Sequence, residues 1–92
     1  MKGIAIGLSH TSKLILKRLK RTEFIDEIYL ACSTYTEEIE ENEISLIKPK
    51  EFLNENWEDL ALIIFIGSIG ASIRLINSFL TSKDQDPGVI VI

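Results

Sequence analysis

Two glycines and a serine stand where an apolar segment meets a helical one, in the stretch FIGSIGASIR at residues 65–74. Glycine lets a ligand approach the backbone without obstruction by a side chain, and the first N–H groups of a helix attract an anion or a developing oxyanion. Ser68 adds a hydroxyl between Gly67 and Gly70. The spacing predicts either an anion-binding loop or a purely structural turn, and by itself leaves both open.

Three further polar residues are candidates for contact with the same ligand. Arg74 follows Gly70 by four residues, so on a helix the two share a face, from which a guanidinium can bind a carboxylate. Lys83 and Asp86 lie in the polar segment before the last apolar run, a loop position that needs no function by itself. The alternative for all three is an ordinary solvated position.

His10 is the candidate general acid or base, because it is the one side chain of the sequence that titrates near neutral pH. No serine or cysteine partner is evident, so an ordinary loop histidine is the alternative. With a single cysteine, Cys32, and scattered acids, the sequence has no metal-ligand pattern, and we expect no metal site. The catalytic residue stays unknown at this level.

The elements that position these residues follow from hydrophobic periodicity. It predicts strands at 3–7, 27–32, 44–47, 60–66 and 89–92, and helices at about 11–22, 49–56 and 68–81. Ser9 or Thr11 is expected to cap the first helix. In the last helix the spacing of four apolar residues predicts the face that covers the sheet: Ile69, Ile73, Ile76 and Leu80.

Alternation of strands and helices predicts an α/β fold, three-layered, with a mainly parallel sheet and helices on both faces. Ligands bind such sheets at the carboxyl ends of the strands. The 92 residues predict a single α/β domain, 1–92. The segment 37–43 carries five acids in seven positions and is expected to be a solvated connection.

Composition limits the partners and the compartment. A net charge of −4 argues against nucleic-acid binding. The apolar runs fall far short of the roughly 20 residues that span a bilayer, and the N-terminus lacks the pattern of a secretory signal, so we expect a cytoplasmic protein with no membrane partner.

The segment from Phe65 to Ile92 resembles the N-terminal domain of the CbiG family of cobalamin biosynthesis proteins. Both run from a strand through a glycine-containing turn and an Ile-x-Arg helix to a Lys-x-x-Asp-Pro loop and a valine-rich strand. The matching residues occur in order and at compatible spacing: Gly67, Gly70, Ile73, Arg74, Leu75, Lys83, Asp86, Pro87 and Val89.

This resemblance implies a cobalt-precorrin-5A hydrolase of the anaerobic cobalamin pathway. The enzyme opens the ring-A δ-lactone and releases acetaldehyde, giving cobalt-precorrin-5B. The corrinoid substrate carries its own cobalt, so no cofactor is expected, and its acetate and propionate groups suit an anion-binding edge. The implied substrate-binding residues are Gly67, Ser68, Gly70, Arg74, Lys83 and Asp86, and the chain is expected to be the N-terminal part of a longer protein.

A second hypothesis is a non-catalytic α/β module. Five of the ten lysines and arginines lie between Lys13 and Arg21, and this basic face is expected to bind a small anionic ligand or a partner protein. An exposed sheet edge also predicts a homo-oligomer or docking of a C-terminal domain.

Overall fold

The computed structural model describes residues 1–31, 44–80 and 86–92. The elements in chain order are β1 (Lys2–Gly7), a 3-10 turn (His10–Ser12), α1 (Lys13–Lys20), β2 (Glu27–Ala31), β3 (Ser45–Ile47), α2 (Pro49–Asn56), a 3-10 turn (Trp57–Asp59), β4 (Leu60–Ile66), α3 (Ile69–Ile76) and β5 (Gly88–Val91). Every predicted element has a counterpart, although α3 is shorter than the predicted helix. Cys32 and the acidic segment 37–43 lie outside the described residues.

In the described part of the chain, five strands form one parallel sheet in the order β3-β2-β1-β4-β5. The central strand, β1, is short and apolar, and Ile4, Ala5 and Ile6 are completely buried. A strand with both faces covered needs no polar alternation, which explains its continuous apolar sequence.

Helices cover both faces of the sheet, which confirms the predicted three-layer α/β fold. On one face, Leu16 of α1 packs with Ile28 and Ile64. On the other, Leu53 of α2 and Ile76 of α3 pack with Phe65. Among the described residues, no helix combines the length and apolar character needed to span a membrane.

The predicted sheet-facing side of α3 is wrong in part. Ile76 is buried, but Ile69, Ile73 and Leu80 are 64%, 53% and 49% exposed. Beyond the ends of α2 and α3, two aromatic rings pack together. Phe79 stacks on Trp57 with ring centroids 5.3 Å apart, and the small, buried Ser72 faces the core in place of an isoleucine.

The predicted caps of the first helix are also wrong. A 3-10 turn precedes α1, so the N-cap position falls on Ser12, which makes no side-chain capping bond. The Ser12 hydroxyl instead donates to the carbonyl of Ser9, while the Ser9 and Thr11 hydroxyls lie 2.8 Å apart and bond each other. The extra turn moves the helix start beyond the reach of both residues.

Candidate functional site

The loops after β1 and β4 meet where the strand order reverses. From the central strand β1 the chain passes to β2 on one side, and from β4 it passes to β5 on the other. Such a switch point, at the carboxyl ends of the strands, is where open α/β sheets bind ligands. The backbone N–H of Leu8 donates to the carbonyl of Ile66 at 3.0 Å, so the turn that contains His10 begins beside the Gly67 loop.

Gly67 has a structural role in this loop. Its φ is +155°, and an added Cβ would lie 2.9 Å from the Cβ of Leu8. Its N–H donates to the carbonyl of Ile92 at 3.1 Å and therefore is not free for a ligand. Of the two alternatives left open by the sequence, the tight turn accounts for Gly67.

Gly70, by contrast, has no packing reason to be glycine. It is the second residue of α3, it is exposed, and an added Cβ would meet no atom within 4 Å. The N–H groups of Ile69 and Gly70 lie in the first turn of α3, where an N–H has no helix carbonyl four residues earlier, and no acceptor for them is found among the described residues. Gly70 thus leaves two backbone donors open to an approaching anion.

Ser68 fixes the start of α3. As N-cap it accepts a hydrogen bond at Oγ from the N–H of Ala71, at 3.1 Å. Its carbonyl accepts from the Ser72 hydroxyl at 2.9 Å and from the Ser72 N–H at 3.1 Å. The Ser68 hydroxyl keeps its own proton as a donor, because a hydroxyl can accept and donate at once.

Arg74 lies one helical turn beyond Gly70 and is exposed. It lines a groove between α2 and α3 together with Lys50, Ala71 and Leu75. Sequence reasoning missed Lys50, which lies 24 positions before Arg74 and comes near it only because α2 and α3 pack on the same face. Its one signal in the sequence is its place directly after Pro49, three residues beyond the end of β3.

The structure does not bring Asp86 to this edge. Asp86 precedes β5 and accepts a hydrogen bond at Oδ1 from the Trp57 indole N–H, at 3.3 Å, beside the start of β4. The seven residues of β4 separate that edge from Gly67 by about 20 Å. Lys83 lies outside the described residues. Of the six predicted substrate-binding residues, Gly67, Ser68, Gly70 and Arg74 therefore lie close together.

The groups with shifted pKa values, Glu27 and Tyr29, lie in a different part of the sheet. The Tyr29 hydroxyl donates to the Glu27 carboxylate and lowers its pKa, with a smaller contribution from Lys2, whose Nζ lies 3.5 Å from Glu27 Oε1. Burial, and then the same bond, raises the pKa of Tyr29. The pair lies in β2, near the strand's amino end, and stabilises that end. In the described part of the chain, no three His, Cys, Asp or Glu side chains are grouped to hold a metal.

Comparison with known proteins gives one match. Neither the curated proteins nor the solved structures contain a match to this chain. The family model for the cobalamin synthesis G N-terminal domain matches residues 51–92, a segment that includes β4, the Gly67 loop, α3 and β5. This match confirms the resemblance to the CbiG N-terminal domain that the sequence predicted, and it indicates a role in cobalamin biosynthesis.

Proposed function

We propose that this chain takes part in the hydrolysis of cobalt-precorrin-5A, in which the ring-A lactone opens and acetaldehyde leaves to give cobalt-precorrin-5B. The observation that carries the proposal is the position of the open end of α3. The N–H groups of Ile69 and Gly70, which have no acceptor among the described residues, lie with Arg74 near the carboxyl edge of the sheet, where open α/β sheets bind ligands, and inside the segment that matches the family.

The substrate suits this arrangement because it carries several carboxylates. Arg74 binds one of them, since a guanidinium and a carboxylate form two parallel charge-assisted hydrogen bonds. The carboxylate holds the macrocycle against the carboxyl edge of the sheet. Gly67 and Ser68 contribute indirectly, because they fix the direction in which α3 starts.

Lactone opening begins with attack of water on the ring carbonyl, which places negative charge on the carbonyl oxygen. The N–H groups of Ile69 and Gly70 stabilise that oxyanion, a contribution that is commonly worth a hundredfold or more in rate, on the order of 3 kcal/mol. The C–O bond of the tetrahedral intermediate then breaks to give a carboxylate and an alcohol. Acetaldehyde leaves when the alcohol loses its proton and the bond between its carbon and the macrocycle breaks, and the macrocycle keeps the electron pair and takes up a proton. His10, in the turn that follows β1, is the candidate for the proton transfers.

The direct test is anaerobic incubation of the full-length protein with cobalt-precorrin-5A. We expect acetaldehyde and the ring-opened corrinoid in equal amounts. An Arg74→Ala variant should raise KM more than it lowers kcat, because the arginine binds a group away from the reacting carbonyl. A His10→Gln variant should lower kcat if His10 transfers the proton. Absence of both acetaldehyde and lactone opening contradicts the enzymatic function.

The outer face of α1 favours a second candidate, a non-catalytic binding module. Arg18 and Arg21 are exposed there beside Leu14, which is itself 62% exposed. A basic face with an apolar centre suits an anionic partner surface. This candidate predicts no turnover, and it predicts binding that weakens in an Arg18→Gln, Arg21→Gln double variant and not in Arg74→Ala.

A further inference from the structure

Lys50 and Arg74 place two positive charges in one groove. Lys50 is the second residue of α2, which begins just after β3, and Arg74 lies on α3, which begins just after β4. In a parallel sheet both helices start at the carboxyl edge. Because α2 and α3 pack against the same face, their facing sides form the groove that the two cations line.

No ion pair offsets the charge of Lys50 or of Arg74 in the part of the chain that the structure describes. Both side chains are exposed. Lys50 also stands in the first turn of its helix, where the positive end of the helix dipole disfavours a cation. Local stability therefore does not explain why these two cations stand here, whereas an anion in the groove would neutralise both charges.

The groove also has an apolar component. Leu75 is half-buried along it, and the small Ala71 leaves room above it. A carboxylate on a short methylene stem matches this lining, because the stem packs against leucine while the charge meets the cations. The groove continues past Lys50 along Glu51, Asn54, Ser78 and Phe79. The Glu51 carboxylate repels an anion from that part and confines it to the Arg74 side.

We infer that Lys50 and Arg74 together bind one carboxylate group of the ligand in the groove between α2 and α3, with its methylene stem against Leu75. Lys50 is thus a second substrate-binding cation from outside the Gly67 loop. The inference rests on the proposed function for the identity of the ligand as a corrinoid. The affinity of the groove for carboxylates is a property of its own residues.

The test uses tricarballylate, a small tricarboxylate, titrated into the native chain while backbone amide shifts are followed by NMR. We expect shifts at Lys50, Ala71 and Leu75. Lys50→Gln and Arg74→Gln should each weaken binding about tenfold, since each removes a charged contact. Lys48→Gln is the matched control, because it removes the same charge two residues away from a side chain that does not line the groove. All three positions are exposed, so the urea midpoints should not fall.

Three outcomes would overturn the inference: no shifts in the groove, shifts confined to α1, or equal weakening by Lys48→Gln and Lys50→Gln. The hydrolase assay separates this inference from the proposed function. If Lys50→Gln weakens tricarballylate binding and the native protein releases no acetaldehyde, the carboxylate groove stands and the hydrolase proposal fails. If acetaldehyde is released and Lys50→Gln leaves KM unchanged, the proposed function stands and the groove fails.

Discussion

Gly67 and Leu8 pack so closely that a Cβ on the glycine would lie 2.9 Å from the Cβ of the leucine. This contact joins the loops that follow β4 and β1. These are the two strands between which the strand order reverses. Two backbone bonds, Leu8 N–H to Ile66 and Gly67 N–H to Ile92, hold the same corner. This packing and these bonds therefore position the start of α3, whose first residues are exposed.

Gly67→Ala should destabilise the protein by about 1–3 kcal/mol, because alanine is strained at this positive φ and its methyl group meets Leu8. Urea unfolding followed by Trp57 fluorescence measures the change. Gly70→Ala is the matched control, since the same methyl group there enters open space. Equal losses of stability in the two variants would contradict the structural role of Gly67.

Gly70→Ala should change the stability of the protein and its affinity for the ligand in opposite directions. Alanine favours the helix over glycine, so the free energy of unfolding should rise by up to about 1 kcal/mol. The same methyl group obstructs the N–H groups of Ile69 and Gly70, so the affinity for a corrinoid carboxylate should fall. Isothermal titration of the two proteins side by side measures the affinity. An unchanged affinity would place the ligand away from the start of α3.

Ser68→Ala should cost about 1 kcal/mol, because the N–H of Ala71 loses its capping oxygen. Ser68→Asp keeps a capping oxygen and should retain the stability of the native protein. The added negative charge should nevertheless repel an anionic ligand, so this variant is expected to unfold like the native chain and to bind weakly. Full affinity in Ser68→Asp would show that the ligand does not approach the N-terminus of α3.

The loss of stability as the pH falls below about 4.5 should depend on Tyr29. Its hydroxyl holds the pKa of Glu27 below the usual 4.5, so the unfolded state takes up this proton first as the pH falls. The resulting stability is present above pH 4.5 and is lost as the pH falls through the folded-state pKa. Tyr29→Phe keeps the ring contact with Phe52, at 4.5 Å between centroids, and removes the hydroxyl.

The urea midpoint of Tyr29→Phe should therefore change less steeply with pH on the acid side than that of the native protein. The difference should stay below about 1 kcal/mol, since the carboxylate is partly exposed and its interactions are screened by solvent. Lys2→Gln, which removes the weaker charge contact with Glu27, should have a smaller effect in the same direction. Identical pH profiles for Tyr29→Phe and the native protein would contradict the assigned cause of the shift.

The strands could be predicted from the sequence because their signal is local. β4 reads as an almost wholly apolar run that ends at a glycine, and β1 as a short one, and both lie inside the sheet. The orientation of α3 could not be predicted. Its isoleucine spacing suggests one buried stripe, but Ile69 and Ile73 are exposed, and Ser72 and Ile76 are the buried residues of the helix.

The candidate site also has features that the local sequence predicts and features that depend on packing. The turn is a local feature, so the sequence places Gly67, Ser68 and Gly70 between β4 and α3. The different roles of the two glycines depend on Leu8, and the contribution of Lys50 depends on helix packing, so neither could be read from spacing. The position of Asp86 at the opposite edge follows from the parallel order of the strands.

The central claim is that the open end of α3, with Arg74, binds a corrinoid through its carboxylates. The most direct measurement compares the affinity of the native chain for cobyrinic acid, whose side chains are free carboxylates, with its affinity for cobinamide, whose side chains are amides. We predict that cobyrinic acid binds more tightly, and that this preference falls with added salt and in Arg74→Ala. Equal affinity for the two corrinoids, or a preference that survives the loss of Arg74, would contradict the claim.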